Sequence, residues 1–406
     1  MLEGENILCF SPDPWGSIWP DKSQIMSILA RRNRVLYVEP ELHFRPTLRK
    51  VARGEIGSSH LWRRRVSWIQ DGLYVYHPPV FAPISGHVLL GPITQALRFG
   101  LLRRTLRHLE MSEPILWLFR PGMVDLVGQF GEKLLIYHIV DEYSAYSKQT
   151  PELARWTRER EARLASQADI IFVTSQALWK TKRQLNPRTY LMQNGVDYGT
   201  FARIIASDTS LPTDISSLQR PVIGFVGSIC HKQDYELLRL IAGSHSAWSL
   251  VMIGPVRGMQ NTEELKQLQS SPNVHFLGCK PTEEIPQYIN ACDVCLIPYV
   301  DSEETRNINP LKLYEYFACG KPVVSVDIPS VRPFAEVVYI ARDRETFIKC
   351  IEEALREDGS LTSRRFGIAK QNTWEARVEQ LSTLIQETLR VKYSTEGPNS
   401  AHGGEG

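Results

Sequence analysis

Lys312 and Glu315 stand three residues apart in the stretch NINPLKLYEYFACGKPVVS, Asn307 to Ser325. On a helix that spacing puts an ammonium and a carboxylate on one face. Pro310 suits the first helical position and Asn309 the cap before it, so a helix is expected from Leu311, with Lys312 in its first turn. A cation there opposes the helix dipole, and an anionic ligand is one reason for it to be there. Glu315, a turn deeper, could accept hydrogen bonds from sugar or ribose hydroxyls. On spacing alone the alternative is an i,i+3 ion pair on a solvated face.

A second candidate is GFVGSICHKQDY, where a strand ends at Gly227-Ser228 and Asp234 is a good cap for the helix that follows. Glycine admits close approach of backbone to a ligand, and free N–H groups at a helix start favour phosphate. His231 or Lys232 could add positive charge. The segment is not G-x-G-x-x-G, and Lys232 could equally be solvated.

These loops need elements to hold them. The chain has 406 residues, 43% hydrophobic and 23% charged, with a net charge of +2, which excludes a disordered chain and a globally basic nucleic-acid binder. Its length suits two domains. Short β-branched runs (NILCFS, RVLYVEP, LYVYHPP, ILWLF, KLLIYHIV, IIFVTS) alternate with amphipathic stretches, the pattern of a parallel sheet covered by helices. It pauses in a polar stretch and restarts with PVIGFVGS, WSLVMIG, VHFLG, VCLIPY, PVVSV and VVYIA. The expected class is α/β, with two Rossmann-like doubly wound domains facing a cleft.

The expected boundaries are a first domain over 1–205, a linker over 206–220, a second domain over 221–370, a C-terminal helix over 371–392 and a disordered tail over 393–406. Seven cysteines lie mostly in apolar segments without regular pairing, which suits reduced thiols in a cytoplasmic protein. Cys292-x-x-Cys295 lacks a second pair for a metal and reads as core packing. The N-terminus lacks the basic region of a signal peptide, and no apolar run approaches a membrane span.

NPLKLYEYFACGKPVVS, with QNGVDYGTF upstream and NTWEARVEQLSTLI downstream, resembles the GT-B glycosyltransferases, particularly the large glycosyltransferase 4-like group. The resemblance implies two Rossmann-like domains, a nucleotide-diphosphate sugar held mainly by the second, and a C-terminal helix that crosses back to the first. It gives Glu315 the nucleotide ribose. That family often carries another acid eight positions earlier, in contact with the donor sugar; here that position is Asn307, whose amide keeps hydrogen bonding but loses charge. Lys312, Arg306 and Lys232 are the cations for the diphosphate, with Gly227, Ser228, Asn309, Pro310 and Leu311 beside the donor. Positive charge on the leaving group stabilises the transition state, so no metal and no other cofactor is expected.

The first domain would then take the acceptor, a glycan, polysaccharide precursor or glycolipid. LLIYHIVDEYSAYS ends a strand at Val140 and presents Asp141 and Glu142, with Tyr143 and Tyr146 nearby. Asp141 could be the general base in an inverting reaction, could position a sugar in a retaining one, or could merely cap a helix. His138 is expected to be buried by strand alternation. Asp13, Trp15 and Trp19 in SPDPWGSIWPDKSQ could orient and stack on a sugar or simply pack the loop. NGVD, Asn194 to Asp197, reads as turn chemistry.

Residues 45–70 contain seven Lys/Arg against one acid, with Trp62 and Trp68, and RFGLLRRTLRHLE adds a second basic stretch. Together they suit an anionic membrane surface, or only a solvated face, rather than nucleic acid. Two other functions are compatible with the sequence: a nucleotide-sugar-binding protein without transfer activity, and a dehydrogenase, which the missing dinucleotide fingerprint disfavours.

Overall fold

The computed structural model describes residues 1–16, 21–40, 65–79, 81–82, 90–146, 149–207 and 211–395. They fall into two compact units. The first comprises Met1–Val173, Trp179–Met192 and the chain from Val378; the second comprises Thr174–Leu178 and Gln193–Arg377.

The first unit is built on strands β1 (Asn6–Phe10), β2 (Arg34–Val38), β3 (Val66–Gln70), β4 (Leu73–Tyr76), β5 (Ile115–Leu118), β6 (Leu134–Ile139), β7 (Ile170–Val173) and β8 (Thr189–Leu191). Their order is β3-β4-β2-β1-β5-β6-β7-β8, parallel except for the β3–β4 edge pair. β5, β6 and β7 are buried along their whole length, as strands covered on both faces must be. Helices α1 (Asp21–Ala30), α2 (Leu90–His108) and α3 (Pro151–Gln167) belong to this unit, and α4 (Gln176–Lys182) ends in it. From β1 the chain winds outward through β2 and β4, then returns beside β1 and continues through β5 to β8. The carboxyl ends of β1 and β5 therefore flank the topological switch, where open α/β sheets hold ligands.

The second unit has strands β9 (Val222–Val226), β10 (Ser249–Ile253), β11 (Val274–Gly278), β12 (Val294–Ile297), β13 (Val323–Val326) and β14 (Val338–Ala341). All pairs are parallel, in the order β11-β10-β9-β12-β13-β14, so its switch lies between β9 and β12. Its helices are α5 (Tyr198–Ala206), α6 (Thr213–Ser216), α7 (Tyr235–Ser244), α8 (Glu263–Gln269), α9 (Ile285–Ala291), α10 (Glu303–Arg306), α11 (Leu311–Ala318), α12 (Arg344–Leu355) and α13 (Thr362–Gln371). α11 buries Leu313, Tyr314, Tyr316 and Phe317 in the core formed with Phe225, Leu296 and Val324. It ends where Lys321 N–H donates to Tyr316 O (3.1 Å) and Gly320 takes φ +67°. A Cβ at Gly320 would lie 2.8 Å from Thr362, so only glycine closes this turn without a shift.

The expected linker is partly structured. Ile215 of α6 is buried in the second unit's core, and Asp214 bonds Lys280 and Tyr288. The boundary falls at Gln193 rather than 205, because Asn194 and Val196 already hydrogen-bond within the second unit. The last helix, α14 (Trp374–Thr395), starts later than expected, since Gln371 ends α13. It begins in the second unit and passes into the first, where Val378, Leu381, Ile385 and Leu389 are buried. There Gln386 donates to Met1 O (3.4 Å) and Lys392 meets Asp169 (3.0 Å). Residues 396–406 of the expected tail lie outside the described residues.

Candidate active site

In the second unit the residues after β9 and β12 meet at the switch. Val300 N–H donates to Lys232 O and Asp234 N–H to Pro298 O, both at 2.8 Å. Asp234 caps α7 by accepting from Leu237 N–H, as expected. Gly227 has φ +143°, open to glycine alone, and its N–H donates to Ile253 O (2.8 Å), so this amide is not free for phosphate. Ser228 Oγ is buried without a hydrogen-bond partner. Lys232 is not simply solvated, because its Nζ lies 3.2 Å from the buried carboxylate of Glu304, which also takes His231 Nε2 at 2.9 Å.

Lys312 is buried on the first turn of α11. Its Nζ donates to Tyr299 Oη (2.8 Å) and sits 4.4 Å from the Phe225 ring centroid and 5.1 Å from that of Tyr299. Neither the expected solvated face nor an i,i+3 ion pair forms. Cation–π contact and one hydrogen bond hold the charge, with no carboxylate on it. Glu315 is half-buried and, among the described residues, its carboxylate receives no hydrogen bond. Burial pushes it up to about 7, against the pull of Lys312. Near neutrality it can both donate and accept hydrogen bonds.

The other expected donor contacts divide. Arg306 is exposed and clamped by two bonds to Asp301 (2.6 and 2.5 Å), so its charge is already matched. Asn307 closes α10, donating from its side chain to Glu303 O (2.8 Å). Asn309 is not the cap of α11; Pro310 occupies that position, and Leu311 is the first helical residue. Asn309 instead accepts from Asn194 N–H on Oδ1 (2.9 Å) and from Asn194 Nδ2 on its backbone oxygen (2.7 Å). The NGVD segment is thereby pinned to the α11 loop, and Asp197 caps α5, which is turn chemistry as expected. A cavity of about 520 Å³ at the carboxyl ends of β12–β14 is lined by Tyr299, Asp301, Arg306, Asp327 and Arg344, among others.

In the first unit, a cluster forms at its own switch. Asp13, just past β1, takes Lys22 Nζ at 3.0 Å, and Lys22 also meets Asp21 at 3.0 Å. Burial pulls the Lys22 ammonium down, but Asp21 and Asp13 together hold it protonated well above its usual range. Arg120, just past β5, stacks its guanidinium 4.6 Å from the Tyr143 centroid and donates to Tyr146 Oη (3.4 Å). Tyr146 in turn donates to Asp141 Oδ2 (2.8 Å). Asp141 does not cap the following turn.

Glu142 does that, accepting from Ser144 N–H and Oγ, and it is buried against Lys182 (2.6 Å), which also binds Glu161 (2.7 Å). Glu142 is therefore a structural group rather than an acceptor contact. His138 is buried as expected, held neutral by burial, which moves it down to about 3, and both ring nitrogens lack partners. Trp15 packs edge-on against Tyr37 (5.0 Å), and its backbone N–H donates to Glu39 Oε1 (3.2 Å). Trp19, Trp62 and most of the first basic stretch lie outside the described residues.

Glu304, Arg120 and Lys22 were not singled out by the sequence. Arg120 alone left a local signal, since it directly follows the end of a buried strand. No group of three or more metal-ligating side chains occurs among the described residues, and no helix there is long and apolar enough to cross a membrane.

Residues 220–357 match the family described as Glycosyl transferases group 1. Over 285 residues the chain is 29% identical to TuaH of Bacillus subtilis (strain 168), which is named as a teichuronic acid biosynthesis glycosyltransferase; the match covers 66% of this chain and 70% of TuaH. Among solved structures it is similar to Anabaena Alr3699/HepE in complex with UDP and glucose, with TM-score 0.65 and 17% identity over 94% of this chain and 100% of that one. It is likewise similar to sucrose-phosphate synthase from Thermosynechococcus elongatus, with TM-score 0.68 and 16% identity over 95% and 100% of the two chains.

Proposed function

We propose, from the match of residues 220–357 to the group 1 glycosyltransferases and from the GT-B fold, that the chain is a glycosyltransferase that moves a hexose-type sugar from a uridine diphosphate donor to a polysaccharide precursor or glycolipid. Lys312 carries this reading: a buried ammonium without a carboxylate, beside the raised carboxyl of Glu315. The ammonium faces the departing diphosphate, helped by Lys232, and Glu315 takes the ribose. Stabilising the leaving group in this way needs no metal. Uridine is favoured by the UDP in the HepE structure, and a cell-surface polymer by the name of TuaH.

Asp141, oriented by Tyr146, is the base or positioning carboxylate for the acceptor hydroxyl. The basic stretches in the first half of the sequence meet an anionic membrane surface, which gives access to lipid-linked acceptors. The test is UDP release from a panel of UDP-sugars, with and without EDTA. Release from at least one donor, unchanged by EDTA, is expected. Binding without release under any acceptor would instead favour a nucleotide-sugar-binding protein, and no affinity for any UDP-sugar would overturn the donor assignment.

A further inference from the structure

Helix α2 has 19 residues and not one carboxylate. Its inner face buries Phe99, Leu102 and Leu106. The outer face carries Leu90, Ile93 and Leu97, which are 53%, 64% and 43% exposed, and then Arg104 and Arg107, also exposed. These five positions recur at steps of three, four and seven, so they share one side of the helix. Arg98 and Arg103 are spent on the backbone oxygens of Ala82 and Gln129, but the guanidiniums of Arg104 and Arg107 have no partner among the described residues. The Arg98 bond also fixes beside α2 the turn bearing Phe81, which is 66% exposed.

A solvated helix places charge on its outer face throughout; this one is apolar for half its length and purely basic for the rest. We infer that α2 is the membrane-docking element of the chain, lying flat on an anionic lipid surface. Leu90, Ile93 and Leu97 enter the boundary between headgroups and acyl chains, and Arg104 and Arg107 meet lipid phosphates. Charge complementarity selects the occupant, because two unmatched guanidiniums beside an apolar stripe suit a surface that offers both anions and hydrocarbon. The inference rests on the membrane reading above and gives it an address.

The test is vesicle flotation of the full chain with phosphatidylglycerol-containing and with pure phosphatidylcholine vesicles at low salt. The chain is expected to float only with the anionic vesicles. Arg104→Gln/Arg107→Gln should lower the partition coefficient about 30-fold, at roughly fivefold per removed charge. Ile93→Ser/Leu97→Ser should bind at low salt but detach in 0.5 M salt, where the Debye length is about 4 Å and the parent is retained. UDP affinity measured in parallel should be unchanged in both variants, which separates loss of docking from loss of folding. Failure of the parent to float would overturn the membrane reading itself. Flotation of both variants equal to the parent would overturn only the assignment to α2, as would a parent dimer that the serine variant dissolves.

Discussion

At the scale of single residues, the informative groups are those whose charge is out of balance with their surroundings. Lys312 is buried on aromatic rings with no carboxylate, so it costs stability unless a ligand anion arrives. Lys312→Met is expected to weaken UDP binding by about 10- to 100-fold, the worth of one charge-assisted hydrogen bond, while leaving the melting temperature equal or higher. Calorimetric titration and thermal unfolding together check this, and loss of both affinity and stability would argue for a structural lysine.

Glu315 gives a pH signature. Its carboxyl rises to about 7 in the folded chain, so the native state binds more protons than the unfolded one between about 4.5 and 7. Its contribution therefore falls as pH climbs through that window, by up to about 3 kcal/mol, and is flat above it. Glu315→Gln should flatten this slope in denaturant titrations across pH 4.5–7. Asp141→Asn should lower kcat by about 10²–10⁴-fold with donor affinity kept, if Asp141 is the base. A fully active variant removes that role.

At the scale of elements, the buried ion triad Glu142–Lys182–Glu161 ties the end of β6 to α3 and α4. Lys182→Met would leave two buried carboxylates without their cation and should cost about 3–5 kcal/mol, read from urea unfolding. This triad also shows what the sequence could and could not tell. Strands β1, β2, β4, β5, β6 and β7 and all six strands of the second unit were legible as apolar runs; most are parallel strands buried on both faces, and the partly buried edges β11 and β14 keep the pattern. β3 and β8 were missed: β3 is a half-exposed antiparallel edge, and β8 has only three residues.

The placement of Lys312 and Glu315 on neighbouring turns of one helix was legible. The site was hidden where partners come from distant segments. Nothing local distinguishes Glu304 from Glu303, yet one is buried between His231 and Lys232 while the other is exposed. The partners of Arg306 and Asn307 were hidden for the same reason, since Asp301 and the backbone of α10 are not marked as partners by any local pattern.

At the scale of the whole chain, α14 makes the order along the sequence differ from the order in space. Its residues from Val378 complete the first unit, whose strands begin at Asn6. Truncation after Arg377 is therefore expected to destabilise the first unit and leave the second near its original melting point. Hydrogen exchange would show protection lost in β1 to β8 and kept in β9 to β14; uniform loss would contradict it.

The same feature bears on how the protein is made in the cell. During translation, the strands of the first unit emerge from the ribosome long before the helix that seals them, while Gln193–Arg377, nearly all of the second unit, is synthesised in between. The later-made unit can close on its own as soon as its strands are out. The earlier-made one must wait, a natural client for chaperones, until α14 clears the exit tunnel.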